Sequence, residues 1–399
     1  MVAKKVYGRV GLVLQPFGKF AKVLIVAFSL ALPVFPVVPK RTGRAAQAPF
    51  GENPAQAQDQ DLEPRQGYLD IAPGGMDVDF AWSLPGGNGE NVKIIDIEFN
   101  WNLDHTDLKA SASNLLVYVP GFDPDPADDI NHGTAVLGEL VANDNGIGVT
   151  GIANGSRIGL ISPATSETEE DLPGALNKAA SLLNPGDVIL IELQALGPDY
   201  NVATGQGLVP VEFDSAVFAA IKRATSQGIV VIEPATNGSA NLDAPAYQGA
   251  FNRNQRDSGA ILVAAGQPPT NPSTDRAPIK ESDYGSRVDL QGWGKAIVTC
   301  GFGDIRLGKG KNNWYTAKFG ETSGASAMVA GAAAVLESII KAQNQPPLAP
   351  IALRQLMAST GSAQTGNLAR NVGPRPDLRA AITSFNAGSP SAAISALTQ

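Results

Sequence analysis

Four polar residues of this sequence have the side-chain types that acyl transfer needs: Asp96, His132, Asn237 and Ser323. Serine is a weak nucleophile until an imidazole accepts its proton, and the imidazole needs a carboxylate that fixes its tautomer and stabilises its charge. An amide that donates to the oxyanion completes the set, and losing such a donor costs about 3–4 kcal/mol. The sequence has two histidines, His105 and His132, so any mechanism that uses an imidazole depends on one of them.

Taken singly, each of these residues also has a purely structural interpretation. Asp96 ends an apolar run, where a carboxylate often caps a helix or forms a turn. Asn237 precedes Gly238 and suits a left-handed turn. His132 and Ser323 each begin a run of small residues, where serine is usually a helix cap. His105 lies in a polar stretch that is typical of a surface turn.

The elements that must position these residues alternate along the chain. Apolar runs predict strands over 92–97, 115–119, 157–161, 188–193, 229–232 and 260–264, and 3.6-residue patterns predict helices over 167–183, 211–227 and 325–342. Strands that are apolar throughout indicate a parallel sheet covered on both faces. We therefore expect a doubly wound, mostly parallel α/β domain. Active sites of such sheets collect at the carboxyl ends of the strands, where the four polar residues fall.

With that pattern in place, the sequence resembles the subtilisin-like serine proteases from about residue 82 to 381. Ile94-Ile95-Asp96 is similar to the aspartate box of that family, and His132-Gly133-Thr134 is similar to its histidine box. Thr322-Ser323-Gly324-Ala325-Ser326, followed by Val329-Ala330-Gly331, resembles the serine box. The resemblance implies that Asp96 orients His132, that His132 is the base and then the acid, that Ser323 attacks, and that Asn237 forms the oxyanion hole with the Ser323 N–H.

The sequence departs from the family pattern at three places near these residues. Glu321 stands where the serine box usually begins with glycine, and an acid there crowds the cleft or opposes an oxyanion. If that position has a positive φ, glutamate is also strained. Thr236 replaces the glycine usual before the asparagine. Ile97-Glu98 follows the aspartate instead of a small residue and glycine.

By analogy with the family, the substrate main chain pairs beside two segments, 193–197 and the region of Asn154-Gly155. Leu193, Gln194, Ala195 and Thr236 are then substrate-binding residues. None of these side chains is charged, so a small or apolar preferred side chain is expected.

Composition and charge distribution bound the other classes of function. Residues 1–50 carry eight basic and no acidic residues, and the rest of the chain carries a net charge of −16, which disfavours nucleic-acid binding. An apolar run from Val23, preceded by lysines and followed by Ala46-Gln47-Ala48, resembles a secretory signal peptide. We expect residues 1–48 to be that signal, 49–66 a polar linker or short pro-segment, 67–387 the peptidase domain and 388–399 a tail.

Catalysis of this kind needs no cofactor, and no metal ligand is expected among the catalytic residues. Asp123, Asp125, Asp128 and Asp129 are a candidate calcium site or a solvated acidic loop. The leading hypothesis is a secreted, monomeric serine endopeptidase that cleaves peptides or proteins and has no membrane attachment after maturation. A catalytically impaired relative that binds peptides by strand pairing is the alternative. An α/β-hydrolase esterase is disfavoured because the order of the residues and the Gly-x-Ser-x-Gly elbow do not match.

Overall fold

The computed structural model describes residues 60–122, 129–166 and 169–388. Within these ranges the strands are β1 (Lys93–Ile97), β2 (Tyr118–Val119), β3 (Arg157–Ile161), β4 (Val188–Ile191), β5 (Ala195–Leu196), β6 (Leu208–Val209), β7 (Val230–Pro234), β8 (Ile261–Gly266), β9 (Leu290–Trp293), β10 (Ile297–Arg306) and β11 (Trp314–Phe319). The helices are α1 (Val78–Trp82), α2 (Lys109–Ala112), α3 (Asp129–Val141), α4 (Leu172–Ala180), α5 (Ser215–Ser226), α6 (Glu321–Ala342), α7 (Pro350–Thr360) and α8 (Leu378–Gly388). Short 3-10 turns lie at Glu63–Arg65, Thr106–Leu108, Val211–Phe213, Pro245–Tyr247 and Lys311–Asn313.

Seven strands form one sheet in the order β2-β3-β1-β4-β7-β8-β9, and every neighbouring pair is parallel. Sequential strands are thus joined by crossovers that place helices on both faces of the sheet. The expected doubly wound α/β fold with a mostly parallel sheet is confirmed.

Residues of each central strand alternate between two hydrophobic cores. In β1, Ile94 packs into the core with α3 and α6, whereas Ile95 and Ile97 pack into the core with α4 and α5. The period of two along a strand sends Asp96 to the same face as Ile94. The acid is therefore placed under α3 and α6, the helices that carry His132 and Ser323.

Side-chain caps explain why two helices begin later than their apolar patterns do. Asp171 accepts a hydrogen bond from the Gly174 amide at 2.8 Å, so α4 begins after it. Asp214 accepts from the amides of Ala216 and Val217 and separates the 3-10 turn at 211–213 from α5. The predicted helices over 167–183 and 211–227 are consequently too long at their first turns, because a capping carboxylate competes with the helical pattern.

Two antiparallel pairs were not predicted from the apolar pattern. β10 and β11 form a long hairpin, with its register interrupted between Cys300 and Ile305. β5 and β6 form a two-residue pair in which Ala195 lies opposite Val209 and Leu196 opposite Leu208. These short or bulged strands lack the continuous apolar run that identified six strands of the main sheet. The seventh, β9, was also not predicted, because its sequence Leu-Gln-Gly-Trp is not apolar throughout.

The folded domain begins earlier than the expected boundary at residue 67. Leu62 and Gln66 are buried, and the Gln66 side chain bonds to the backbone of Thr150 through both its oxygen and its nitrogen. Residues 60–66 therefore belong to the domain and are not a linker. The expected signal peptide, the rest of the linker and the residues after 388 lie outside the described residues.

Helix α6 runs through the centre of the molecule. Of the helices in the described ranges, it is the one long and apolar enough to cross a membrane by length and composition, but 94% of that apolar window is buried inside the protein. Its small residues allow close approach to the sheet, since a Cβ on Gly331 would lie 2.8 Å from the Ile152 side chain. α6 is thus a core helix whose first turn reaches the carboxyl edge of the sheet.

Candidate active site

His132 lies in the first turns of α3, and its ring edge packs against Phe319 with centroids 5.5 Å apart. Gly133 explains why the chain after β1 can approach this helix so closely. A Cβ at Gly133 would lie 2.2 Å from the Asn100 carbonyl oxygen and 3.0 Å from a carbon of Glu98. A side chain here would force the helix away from the strand, so this glycine keeps the imidazole close to the acids that follow β1.

The carboxylate that holds His132 is Glu98. His132 Nδ1 lies 2.7 Å from Glu98 Oε2, and the Glu98 side chain is 2% exposed against 24% for the histidine. The second Glu98 oxygen accepts from the Phe99 amide at 3.1 Å. The predicted contact between Asp96 and the imidazole is therefore wrong: the acid two residues further along the chain makes it.

Asp96 instead accepts a hydrogen bond from the Trp101 indole at 2.8 Å, through Oδ2. Its other oxygen has no hydrogen-bond partner among the described residues, and the side chain is fully buried. Burial, reinforced by the neighbouring Glu98, raises the pKa of Asp96 well above its ordinary value. The His132 ring is still near enough to oppose this rise in the pKa of Asp96, as the Trp101 bond also does, although the hydrogen bond of the ring goes to Glu98.

A third acid, Glu192, faces the same cluster from the neighbouring strand. The Glu192 amide donates to the Ile97 carbonyl at 3.0 Å, which continues the β1–β4 ladder past the last residue of β4. Neither oxygen of Glu192 makes a well-formed hydrogen bond to the described residues. Burial raises the pKa of Glu192 well above its usual range, Glu98 and Asp96 raise it further, and the nearby Ser323 hydroxyl opposes the shift.

Ser323 is the third residue of α6 and is partly exposed. The predicted helix began at 325, whereas α6 already begins at Glu321. The hydroxyl thus lies in the first helical turn, where unpaired backbone N–H groups and the helix dipole favour negative charge. Gly324 follows because a Cβ there would lie 2.4 Å from the Ile297 side chain.

Asn237 follows β7, and its side-chain amide is bonded at both ends to the start of α6. Its oxygen accepts from the Thr322 amide at 3.1 Å and from the Thr322 hydroxyl at 2.9 Å. Its nitrogen donates to Glu321 Oε2 at 2.9 Å. Asn237 and Ser323 are therefore brought to the same helix end, and the amide donor of Asn237 is shared with a carboxyl group.

Comparison with known proteins decides the family. The sequence profile of the subtilase family matches residues 87–374. The chain belongs to the subtilase family. Alkaline elastase YaB of Bacillus sp. strain YaB is 27% identical over 277 residues, covering 69% of this chain and 60% of that protein. Subtilisin BL of Lederbergia lenta is 25% identical over 278 residues, covering 69% of this chain and 85% of that protein.

This subtilase thus spans less than two thirds of the length of the elastase that it matches. Among solved structures, a protease from Pseudoalteromonas arctica PAMC 21717 has a TM-score of 0.58 at 19% identity, covering 82% of this chain and 99% of that one. The epidermin leader peptide processing protease of Staphylococcus aureus has a TM-score of 0.57 at 19% identity, covering 82% of each chain. Both show the shared fold. The predicted resemblance to the subtilisin-like serine proteases is therefore confirmed as membership of that family.

The subtilase's expected substrate-binding side chains are mostly buried. Leu193, Ala195 and Thr236 are at most 2% exposed, and Gln194 is the member that reaches the surface. The Gln194 side-chain oxygen accepts a hydrogen bond from the backbone N–H of Asn237 at 2.9 Å. Thr236 has a φ of 86° and donates its hydroxyl to Asp283 at 2.8 Å. Of the four expected substrate-binding side chains, Gln194 is therefore the one that is exposed enough to contact another molecule.

The expected segment 193–197 is joined through main-chain hydrogen bonds to the chain that follows β7. The Gly197 amide donates to the Gly207 carbonyl at 2.8 Å, and the Gly207 amide donates to the Gly238 carbonyl at 3.0 Å. A Cβ at Gly238 would lie 2.1 Å from the Leu208 carbonyl oxygen. The segment 198–207 thus links these two stretches of chain at close range.

The second histidine of this subtilase is structural, and its predicted surface position is wrong. His105 is fully buried, its Nε2 lies 2.8 Å from the Trp314 carbonyl, and Nδ1 accepts from the Asp107 amide at 3.3 Å. Burial lowers the pKa of His105 to about 4, so it stays neutral. The calcium candidates Asp123, Asp125 and Asp128, and the Asp129 side chain, lie outside the described residues.

Glu98, His132 and Glu192 also offer one metal-ligating atom each within 4.8 Å of one another. Carboxylate and imidazole ligands of this kind suit divalent transition metals. The 2.7 Å contact between His132 and Glu98 already uses two of the three groups, and it is the contact that an acid–base pair needs. The arrangement of these three groups therefore suits proton transfer between His132 and Glu98.

Sequence reasoning missed Glu98 and Glu192, although a signal for both was present. Glu98 lies two residues after Asp96 and so continues the same face of β1. Glu192 ends the apolar run of β4 on the face that also carries Val188 and Leu190. Acids that end two adjacent parallel strands on one face must meet, and this rule alone would have found the pair.

Proposed function

We propose that this subtilase is a serine endopeptidase that hydrolyses peptide bonds through an acyl-enzyme on Ser323. The observation that carries the proposal is the 2.7 Å contact between His132 Nδ1 and the buried Glu98. Glu192 belongs to the same cluster, and the Ser323 hydroxyl in the first turn of α6 lies next to it. An imidazole held in this way has a fixed tautomer, with Nε2 as the basic nitrogen.

In the proposed reaction, the Ser323 oxygen attacks the scissile carbonyl carbon while His132 Nε2 takes the hydroxyl proton. Glu98 stabilises the imidazolium that forms. The Ser323 amide and Asn237 stabilise the negative oxygen of the tetrahedral intermediate. The C–N bond then breaks as His132 protonates the leaving amine, and a water molecule, activated by the same imidazole, releases the acid product and restores Ser323.

Asp96 is proposed as a positioning residue in this scheme. Its bond to the Trp101 indole fixes the segment that follows Glu98, and Asn102 in that segment donates its amide to the Thr134 hydroxyl at 2.8 Å. The strand end and α3 are thus tied together on both sides of the Glu98–His132 contact. Loss of Asp96 is expected to loosen this contact without removing it.

The proposed substrate preference is a small side chain before the cleaved bond. The support is the close backbone packing in this region: Gly207 bridges Gly197 and Gly238, and a Cβ on Gly238 would lie 2.1 Å from the Leu208 carbonyl oxygen. Gln194 provides a polar group in the same region. Peptides with alanine or glycine at that position should be cleaved faster than those with phenylalanine or lysine.

Secretion is proposed from the N-terminal sequence, whose basic residues precede an apolar run and a small-residue cleavage motif at Ala46-Gln47-Ala48. N-terminal sequencing of protein recovered from the medium would test it. A monomer acting on peptide or protein substrates is proposed with it, and sedimentation of the mature protein tests that state. Structural calcium at Asp123, Asp125, Asp128 and Asp129 stays a proposal, tested by thermal unfolding with and without a chelator.

Fluorophosphonate labelling tests the proposed chemistry directly. Wild-type protein should form one adduct on Ser323, and Ser323→Ala should form none while showing the same circular dichroism. Hydrolysis of casein or a peptide library should be lost in the same variant, by about 10⁴-fold or more. If folded wild type forms no adduct but retains peptides, the chain is a peptide-binding relative without catalysis, and the endopeptidase proposal is wrong.

A further inference from the structure

The start of α6 places a carboxyl group on the amide that should donate to the oxyanion. Glu321 Oε2 lies 2.9 Å from the Asn237 side-chain nitrogen. The orientation of this amide is fixed because its oxygen accepts two hydrogen bonds from Thr322. An amide held in this way directs an N–H group toward Glu321, at the helix end that carries Ser323.

The backbone conformation of Glu321 keeps its side chain in this place. Its φ of 57° lies in the left-handed region, which is costly for a residue with a Cβ. The Glu321 amide donates to the Gly294 carbonyl at 2.7 Å, and this bond holds the turn. Strained residues of this kind cluster at functional sites, where the strain fixes a side chain that a relaxed backbone would release.

The charged groups around Glu321 come from three parts of the fold. His132 faces it from α3, and Glu281 and Lys295 face it from the segments before β9 and β10. Lys295 and Glu281 lie 4.0 Å apart and are both well exposed, so each opposes the effect of the other. Burial dominates and raises the pKa of Glu321 to about 7, with Glu281 adding to the shift and His132 and Lys295 reducing it.

We propose that Glu321 is a catalytic residue, a second oxyanion donor in its acid form and a competitor of the oxyanion in its carboxylate form. The proposal rests on the proposed acyl-enzyme chemistry at Ser323. In the acid form, the carboxyl oxygen that accepts from Asn237 stays in place while the O–H donates to the oxyanion. A buried carboxylic acid that stays neutral can serve as such a donor.

In the carboxylate form, the same group has no proton to donate. It accepts the N–H of Asn237 and places a negative charge beside the oxygen that becomes negative in the transition state. The acylation rate should therefore fall as the pH rises through about 7, the pKa of Glu321. A subtilase with glycine at this position lacks such a group, so the descending limb is specific to this chain.

The test is the rate of fluorophosphonate labelling at Ser323 between pH 5 and pH 9, since the phosphoryl oxygen develops charge in the same hole. Wild type should slow by about 10-fold or more between pH 7 and pH 9. Glu321→Gln, a neutral donor of the same shape, should keep its rate to pH 9. Glu321→Gly should lack both the descending limb and the donor, and should label about 10-fold or more slowly than wild type at pH 6.

Ser323→Ala gives the background, and thermal unfolding of each variant across the same pH range identifies any loss of rate that reflects unfolding. Parallel pH profiles for wild type and Glu321→Gln, with labelling at Ser323 intact, would overturn the role of Glu321 and leave the proposed function standing. Equal rates for wild type and Glu321→Gly at pH 6 would overturn the donor role. Absence of labelling in folded wild type at every pH would remove the proposed function and this inference together.

Discussion

The molecule buries two groups of acids in opposite ways. The arginine-paired acids, Glu212, Asp257 and Asp289, lie on the α5 side of the sheet beside Arg287 and Arg354. The site acids are Asp96, Glu98, Glu192 and Glu321, and the structure places no arginine ion pair on any of them among its described residues. Both groups are shielded from water, so the difference lies in the partners.

The arginine-paired acids form a neutralised network. Arg287 Nε lies 2.7 Å from Glu212 Oε1, and its Nη1 lies 2.7 Å from Asp289 Oδ2. Burial acts to raise the pKa of Glu212, but Arg287 outweighs it and the pKa is lowered. Burial opposes Arg354 at Asp257 as well, and the pKa of that residue is still lowered to about 2. These groups remain charged and serve the fold.

Three of the site acids have pKa values that are shifted in the opposite direction. Burial raises the pKa of Asp96 and Glu192 well above their usual range, and it raises that of Glu321 to about 7. Groups that change protonation near neutral pH can move protons, whereas permanently paired groups cannot. Within the described part of the chain, the site acids therefore lack the cation that keeps the arginine-paired acids charged.

The sharpest division within the site acids is between Glu98 and Asp96. Glu98→Gln should lower kcat/KM by about 10³- to 10⁴-fold, because the amide cannot stabilise the imidazolium and favours the wrong tautomer. Asp96→Asn should lower it by about 10²-fold or less, since the Trp101 bond can be kept. Steady-state hydrolysis of one peptide measures both. A larger loss in Asp96→Asn than in Glu98→Gln would return the orienting role to Asp96.

Removing Arg287 should leave the acids that it pairs buried without that cation, much as the site acids are. Arg287→Met leaves Glu212 and Asp289 buried without a partner, and should lower the free energy of unfolding by about 3–5 kcal/mol in urea. The exposed Arg223, whose side chain donates to Asn177, is the matched control. Arg223→Met should change the free energy of unfolding by less than about 0.5 kcal/mol. Similar effects of the two substitutions would contradict the assignment of the arginine network to stability.

For the site acid Glu192, we expect substitution to raise the free energy of unfolding, by an amount that depends on pH. The raised pKa of Glu192 means that the folded state binds the proton more tightly than the unfolded state. Stability is therefore complete below the unfolded pKa and declines as the pH rises. Glu192→Gln, which lacks this decline, should gain about 1 kcal/mol or more over wild type between pH 5 and pH 8. The control is Glu90→Gln at an exposed position, whose gain in the free energy of unfolding should not grow with pH. If the gain of Glu192→Gln were the same at every pH, the raised pKa of Glu192 would be contradicted.

The smallest effect concerns backbone strain, which separates Glu321 from the arginine-paired acids. At pH 5, where its carboxyl is protonated, Glu321→Gly should raise the free energy of unfolding by about 0.5–1 kcal/mol, because glycine adopts the φ of 57° without strain. Asn344→Gly, at an exposed position with a φ of 58°, is the control and should gain less, since asparagine tolerates this conformation. Destabilisation by Glu321→Gly would mean that its side-chain contacts outweigh the strain.

Much of the fold was predictable because its central strands are buried on both faces and are therefore visible in the sequence as apolar runs. β1, β3, β7 and β8 were located to within one or two residues for this reason. The pairs β5–β6 and β10–β11 were missed, since two-residue strands and bulged hairpins depend on tertiary contacts. Ser323 and His132 fell near the sheet edge as expected. The choice between Asp96 and Glu98 was not predictable from the motif, because it depends on how far the chain runs before turning toward α3.

The backbone bridge at Gly207 has a consequence for how the proposed peptide specificity could be changed. Both bonds of the bridge are made by main-chain atoms, so replacing neighbouring side chains leaves the aperture the same size. Shortening or lengthening the segment 198–207 would instead move Gly207 away from Gly197 and Gly238. Both backbone hydrogen bonds would then be lost together, and the two segments could separate. If the proposed cleft lies here, variants with deletions or insertions in 198–207 should therefore change the proposed preference for small side chains more than point substitutions do.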